Sequence, residues 1–194
     1  MTTGAEDPGA PTRPGTADEA SAKPGAAPDI IVANAGLVLV GPFLPHFFGR
    51  LGLLTEDHAG WRSPGARDRA VHLLQWLVEG RCDRPATILA LNRLLCGQRP
   101  DDPDTGAIEP SDEELAACRS LLEVMIANWP MVKESSAAGL QEIFLQRQGR
   151  IGRVQSAWRV EVRRKTVDVL VDQVPWSFAT IFHRWMSDPI EVTW

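Results

Sequence analysis

The sequence predicts a predominantly helical α+β fold with four to five helices and a small antiparallel sheet. Apolar residues recur at three- and four-residue steps through most of the region between residues 43 and 149, which is typical of helices with one buried face. Two-residue alternation appears near the C-terminus, and a short segment rich in isoleucine and valine near residue 30 also fits a strand. Because an isolated two-stranded hairpin is marginally stable, we expect the strand near residue 30 to pair with the C-terminal strands.

The first 28 residues are predicted to be a disordered tail. They are dominated by Gly, Ala, Pro, Thr and acidic residues, and Met1 is their one large apolar side chain. Such a segment cannot bury enough apolar surface to offset the entropy lost on ordering. We expect a single folded domain over residues 29–194, and the tail is either a solubilising terminus or a tether or unstructured ruler.

The folded region begins with a candidate strand and a strongly apolar run. Residues 29–33 fit a strand that either ends near Gly36 or continues to Val40. A helix is expected to follow, with Pro42 and Pro45 in its first turn, where a missing N–H costs nothing. The apolar face of this helix consists of Phe43, Leu44, Phe47, Phe48, Leu51 and Leu54. The run is too short to span a membrane, so no membrane insertion is expected.

Two consecutive helices are predicted after the polar loop that follows this run. Ser63 followed by Pro64 indicates a helix start and Gly80 a helix end, so the first helix covers residues 64–80. The second helix covers residues 86–96. Since few residues separate the two, we expect them to form a helical hairpin.

Two further helices are predicted beyond a proline-rich acidic loop. Ser111 and Glu114 have the spacing of a capping box, which opens a helix that Pro130 closes. A serine at positions 135–136 caps another helix, which ends at Gly149.

The C-terminal region changes to the two-residue period of strands. Residues 158–162 alternate between apolar and charged side chains and predict a strand. Residues 166–174 fit either a strand or a short helix; we favour the helix, because no glycine or asparagine follows Arg164 to make a tight hairpin. Residues 178–182 and 190–194 are predicted to be two more strands.

The sequence contains none of the common catalytic or nucleotide-binding motifs. GxGxxG after a strand, GxxxxGK[ST], HExxH and GxSxG are absent. The four histidines are scattered along the chain: His46, His58, His72 and His183. We therefore assign no catalytic residue and no cofactor. The enzymatic alternative is a thiol and base pair of Cys96 and His72, which requires the two side chains to meet in space.

Cysteine usage indicates a reducing environment and a cytoplasmic protein. The cysteines are odd in number and form no CxxC pair: Cys82, Cys96 and Cys118. This pattern argues against a disulfide framework and against a zinc site. The acidic loop at residues 101–104 lacks the spacing of a calcium-binding EF-hand, so no metal site is expected.

A basic cluster stands out in a chain whose net charge is −5. Only Glu161 opposes its members, which are Arg147, Arg150, Arg153, Arg159, Arg163, Arg164 and Lys165. The cluster is either a solvated strand face or a contact; an acidic protein surface is the favoured partner, ahead of phosphate. Nucleic acid is not expected, because a nucleic-acid module usually interleaves several aromatic residues with the basic ones, and Trp158 is the one aromatic residue here.

Aromatic residues beside prolines or arginines are the other candidates for partner contacts. Such groups belong either to the core or to an interface, where tryptophan and arginine tend to carry binding energy. The residues predicted to contact partners are Phe43, Phe47, Arg163, Arg164, Trp176 and Trp185.

Several segments occur in the order found in one known family. They are NAGLVLVGPFLPHFFGRLGLL, AVHLLQWLVEG, LNRLLCG, GLQEIFLQRQGRI, DVLVDQVPWSF and RWM followed by IEVTW. With these segments, residues 30–194 resemble the tape measure protein family of contractile injection systems, the phage-tail-like particles of bacteria.

The resemblance implies a non-enzymatic assembly factor that docks at the baseplate or spike end and helps to set tube length. The implied partners are tube, baseplate or spike proteins, with self-association as a further option. The 28 residues of the tail reach at most roughly 100 Å when fully extended, which is too short to measure a long tube alone. Several copies or another chain could therefore define the length. The alternative is a small adaptor or chaperone that is not retained in the particle.

Overall fold

The computed structural model describes Met1, residues 29–103 and residues 106–194. The predicted disordered tail, apart from Met1, lies outside the described residues. The α-helices are α1 (Leu44–Arg50), α2 (Pro64–Glu79), α3 (Ala90–Leu95), α4 (Asp112–Asn128) and α5 (Ala137–Leu140). The strands are β1 (Ile30–Val32), β2 (Gly149–Val154), β3 (Ala157–Val162), β4 (Thr180–Ile181) and β5 (Ile190–Thr193). The other helical segments are Ala35–Phe43, Ala86–Ile88, Pro130–Val132, Gln141–Leu145, Thr166–Val169 and Val171–Gln173.

Helices α2 and α4 begin where their capping residues predict. The Ser63 side chain accepts a hydrogen bond from the Ala66 N–H, and Gly80 ends α2 in the left-handed conformation at φ 71°. At α4 the Ser111 hydroxyl and the Glu114 carboxylate bond each other's backbone N–H groups, so the predicted capping box is confirmed.

A nine-residue 3₁₀ helix, Ala35–Phe43, lies at the centre of the core and is called the central 3₁₀ helix below. Strand β1 ends before it, so the alternative of a strand that continues to Val40 is wrong. From Leu37 to Gly41 the segment is buried. Buried backbone groups need partners, and the local hydrogen bonds of a helix supply them where no neighbouring strand does.

The sheet has the strand order β1-β2-β3-β5-β4. Strands β3 and β5 are parallel, whereas the other neighbours are antiparallel. The α+β class is confirmed, but the expectation of an antiparallel sheet is wrong, because the sheet is mixed. Parallel neighbours need a long crossover, and residues 163–189 provide it. Strand β1 does join the sheet, with β2 as its partner.

Strand β2 is missing from the sequence prediction, which ends a helix at Gly149. Its one fully buried side chain is Ile151, while Arg150 and Arg153 are exposed, so its apolar alternation is weak. Glycine also has low strand propensity, and Gly149 and Gly152 occupy two of its six positions. The tertiary pairing with β1 and β3 outweighs this weak local signal.

The remaining C-terminal elements have the type of secondary structure that the sequence predicts. Residues 166–174 contain two 3₁₀ turns and no strand, as favoured. Strands β4 and β5 lie within the two predicted strand regions. One cluster of buried apolar side chains extends from Val32 in β1 to Ile190 in β5. The single folded domain over residues 29–194 stays a prediction.

Candidate interaction surfaces

The three thiols are shielded from solvent. Burial raises the pKa of Cys82 to about 11 and that of Cys118 to about 12, and it raises the pKa of Cys96 well above its ordinary value. A thiolate is the reactive form of cysteine, so these groups are poor nucleophiles at neutral pH. The His72 Nδ1 atom lies 3.1 Å from the Cys82 carbonyl oxygen, with which it shares a hydrogen bond.

A buried ion pair anchors the end of β3 to the C-terminal residue. The Arg147 side chain is fully buried, and its two terminal nitrogens donate to the two Asp168 oxygens at 2.6 and 2.7 Å. The Lys165 N–H and the Trp194 indole N–H donate to the same carboxylate. Burial acts to raise the pKa of Asp168, but these hydrogen bonds outweigh it, and the pKa lies below its ordinary value.

Besides the buried Arg147, four arginines of the predicted basic cluster are paired with carboxylates. The ion pairs are Arg150 with Glu161, Arg153 with Asp188, Arg159 with Glu191, and Arg164 with Asp172. Glu161 lies inside the cluster in sequence, whereas the other three acids lie further along the chain and reach the arginines only by folding. Pairing removes much of the local positive charge, which favours a solvated face for these four arginines.

Two cations of the cluster remain without such a partner. No carboxylate of the described residues lies within ion-pair distance of Arg163 or Lys165. Both line a cleft of about 580 Å³, called the basic cleft, whose other lining residues are Ala33, Glu79, Gln146, Gln148 and Arg164. Its one acidic residue, Glu79, is already paired with Arg84. The cleft is therefore positively charged.

An apolar groove runs between α1 and α4. It has a volume of about 200 Å³, and its lining residues are Pro42, Phe43, His46, Phe47, Arg50, Ala117, Ser120, Leu121 and Val124. The Val124 side chain is 42% exposed. The groove is of a size to accept one large apolar side chain, as the central pockets of interfaces do.

The two predicted tryptophans are both anchored to the core. The Trp176 indole donates to the Leu39 carbonyl oxygen at 3.0 Å, and its ring meets Phe43 edge-on at 5.0 Å between centroids. The Trp185 indole donates to the Leu95 carbonyl oxygen at 3.0 Å. Both rings are half-buried. Each therefore has a structural role, and each leaves part of its ring exposed.

The six predicted contact residues fall into three places. Phe43 and Phe47 line the apolar groove, although Phe47 is only 4% exposed, and Trp176 packs on Phe43. Arg163 and Arg164 line the basic cleft. Trp185 lies apart from both surfaces.

Sequence reasoning missed two residues of these surfaces. Val124 belongs to a second apolar stripe on α4 with Ala117 and Leu121, and that spacing is visible in the sequence. Ile31 is 74% exposed on the edge strand β1, and no sequence signal distinguishes it from its buried neighbour Val32.

The features described so far define a class: an α+β protein with a basic cleft, an apolar groove and shielded thiols. Residues 3–194 match the family model of the contractile injection system tape measure protein, and the chain belongs to that family. The resemblance found in the sequence is thereby confirmed, and the chain is a tape measure-related component of such a system. No curated protein and no solved structure matches it. None of the described helices is long and apolar enough to cross a membrane.

Proposed function

We propose that this chain is a non-enzymatic assembly component of a bacterial contractile injection system. It docks at the baseplate or spike end of the particle, in the cytoplasm, and helps to set tube length. The observation that carries the proposal is the family match over residues 3–194. The shielded thiols support a role in binding over one in covalent catalysis.

The apolar groove is the docking surface we propose for this role. Its occupant is one large apolar side chain of a baseplate or spike protein, flanked by a carboxylate that faces Arg50. The groove volume of about 200 Å³ fits one such side chain. Arg50 lies at the groove, and no described carboxylate lies within ion-pair distance of it, which supports an acidic group on the partner.

Electron cryo-microscopy of particles from a strain that lacks this chain tests the proposal. We expect no tubes, or tubes with an altered length distribution, and recovery when the gene is restored. Mass spectrometry of purified wild-type particles is expected to detect the chain. A protein that is required for assembly but missing from the particle would instead be an adaptor or chaperone. Normal tubes of normal length in the deletion strain would contradict the proposal.

A further inference from the structure

The basic cleft combines free cations with a rigid frame. The Arg163 N–H donates to the Gln148 carbonyl oxygen at 2.8 Å, and the Arg163 carbonyl oxygen accepts from the buried Arg147 side chain. The Arg163 guanidinium also donates to the Gln148 Oε1 atom at 3.2 Å. The next backbone anchor is the Lys165 N–H, which donates to Asp168. These bonds fix the backbone from residue 163 to residue 165 and orient the Arg163 guanidinium before any anion arrives, which reduces the entropy cost of binding.

Strand β1, at the edge of the sheet, lies beside this cleft. Ile31 and Arg163 line one shallow depression of about 270 Å³ on the outer face of the sheet, together with Gln148, Arg150 and Glu161 among others. The Ile31 side chain is 74% exposed. Arg150 and Glu161 are paired with each other, so Arg163 is the depression's unpaired charge among the described residues.

The hydrogen-bond pattern leaves the backbone of Ile31 open. The Arg163 N–H bonds the Gln148 carbonyl oxygen, and backbone hydrogen bonds alternate from side to side along an antiparallel strand. The backbone N–H and C=O groups of Gln148 and Arg150 therefore point towards β3. Those of Gly149 and Ile151 point towards β1. The β1 residues paired with Gly149 and Ile151 are Val32 and Ile30. Ile31 lies between them, and its N–H and C=O groups point to the other side of β1, where none of the described strands pairs with it. An extended segment could add to that side as a further strand.

We propose that the basic cleft and the β1 edge together bind an extended acidic segment of another particle protein. Its carboxylates pair with Arg163 and Lys165, and an apolar side chain of the segment packs on Ile31. This inference rests on the proposed assembly function, because it places the partner in the particle. A carboxylate segment is favoured over nucleic acid, since none of the described residues that line the cleft carries an aromatic ring on which a base could stack.

Peptide binding to the purified full chain tests the inference. The probe is a short fluorescein-labelled peptide of glutamates around a central leucine, and the readout is fluorescence anisotropy. The control peptides replace every glutamate by glutamine, or the leucine by serine. We expect the glutamate–leucine peptide to bind most tightly and to weaken as salt rises from about 50 to about 300 mM, because screening reduces exposed charge pairing.

Matched variants then locate the site. Arg163→Glu with Lys165→Glu is expected to weaken binding at least about tenfold, because like charges oppose each other. Arg62→Glu with Lys133→Glu makes the same charge change at exposed cations elsewhere and is expected to leave the affinity of the site within about twofold. Ile31→Ser is expected to weaken binding, whereas Val169→Ser, at another exposed apolar residue, is not.

Three results would overturn the inference. They are equal binding of the glutamine peptide, equal loss in both charge-reversal variants, and tighter binding of labelled double-stranded DNA with the same dependence on Arg163 and Lys165. A failed peptide experiment beside abnormal tubes in the deletion strain would reject this site and leave the proposed assembly function standing.

Discussion

Arg147 lies three residues before the exposed Arg150, yet its side chain is fully buried. Its partner Asp168 is buried as well, and both are bonded at nearly every polar atom. Such a pair contributes little net stability when compared with apolar residues, but removing one partner leaves an uncompensated buried charge. The pair also fixes the backbone from residue 163 to residue 165, where the free cations lie.

Replacement of Arg147 by methionine is expected to lower the free energy of unfolding by about 3–5 kcal/mol, because Asp168 loses its cation in the core. Urea unfolding followed by tryptophan fluorescence measures this change. Arg150→Met is the control: this arginine is half-exposed, and its loss is expected to cost much less than the loss of Arg147, because solvent screens its ion pair. Equal effects of the two substitutions would contradict the buried role of Arg147.

The native thiols are expected to resist alkylation. Burial disfavours the thiolate of Cys82, Cys96 and Cys118, so iodoacetamide at mildly alkaline pH should react with them only after unfolding. Intact-protein mass spectrometry with and without denaturant measures the number of modified cysteines. Rapid modification of one thiol in the folded chain would revive the alternative of a cysteine-dependent enzyme.

Among the elements, the central 3₁₀ helix depends on a close backbone contact with the π-helical turn Gln141–Leu145. A Cβ atom at Gly36 would lie 1.7 Å from the Phe144 carbonyl oxygen. This oxygen is a backbone atom, so it cannot relieve the clash by a change of rotamer as a flexible side chain could. Glycine is therefore the residue that permits these two elements to touch.

Replacement of Gly36 by alanine is expected to destabilise the protein by about 3 kcal/mol or more, because two buried elements must move apart. Gly60→Ala is the matched control, since nothing lies within 4 Å of its Cβ position, and a change within about 0.5 kcal/mol is expected. Thermal unfolding of both variants by circular dichroism makes the comparison. A stable Gly36→Ala protein would show that the two elements do not pack this closely.

The apolar groove between α1 and α4 carries a prediction about assembly. Val124→Asp places a charge where we propose an apolar side chain of the partner, and it is expected to reduce the amount of chain in purified particles about tenfold. Since Val124 is 42% exposed, folding is expected to be unaffected. Quantitative mass spectrometry measures the incorporation. Val169→Asp changes a more exposed apolar residue outside the groove, and an equal loss in that control would argue against the groove.

At the scale of the whole molecule, the surfaces that we propose for docking lie within residues 29–194, and residues 2–28 precede them in the chain. Residues 2–28 would span roughly 100 Å at full extension, which limits what they can measure. We therefore expect the proposed docking to depend on residues 29–194 and length measurement to need other copies or chains.

Duplication of residues 2–28 is expected to leave the tube-length distribution unchanged, because docking depends on the folded region and a longer measure must come from other copies or chains. Electron cryo-microscopy of particles with the duplicated segment provides the measurement. Tubes longer by up to roughly 100 Å would show that the segment itself is the ruler.

Helix positions could be predicted well because their signals are local. The capping residues Ser63 and Ser111 lie within three residues of the groups that they bond. The position of strand β2 could not be predicted, since Ile151 is its one fully buried side chain and its partner β1 is remote in sequence. Residue type was enough to predict Phe43 and Arg163 as contact candidates. Their neighbours in the groove and the cleft could not be predicted, because they belong to other elements of the fold.

The sequence by itself determined the α+β class, the capped helices and the family resemblance, because each depends on residue patterns within short segments. Only the tertiary structure decided that β3 and β5 run parallel, that Arg147 is buried, and that Arg163 and Lys165 keep their charge free. The physical reason is that strand pairing and charge neutralisation join residues that are distant in the chain. Such contacts do not produce a periodic pattern in the sequence.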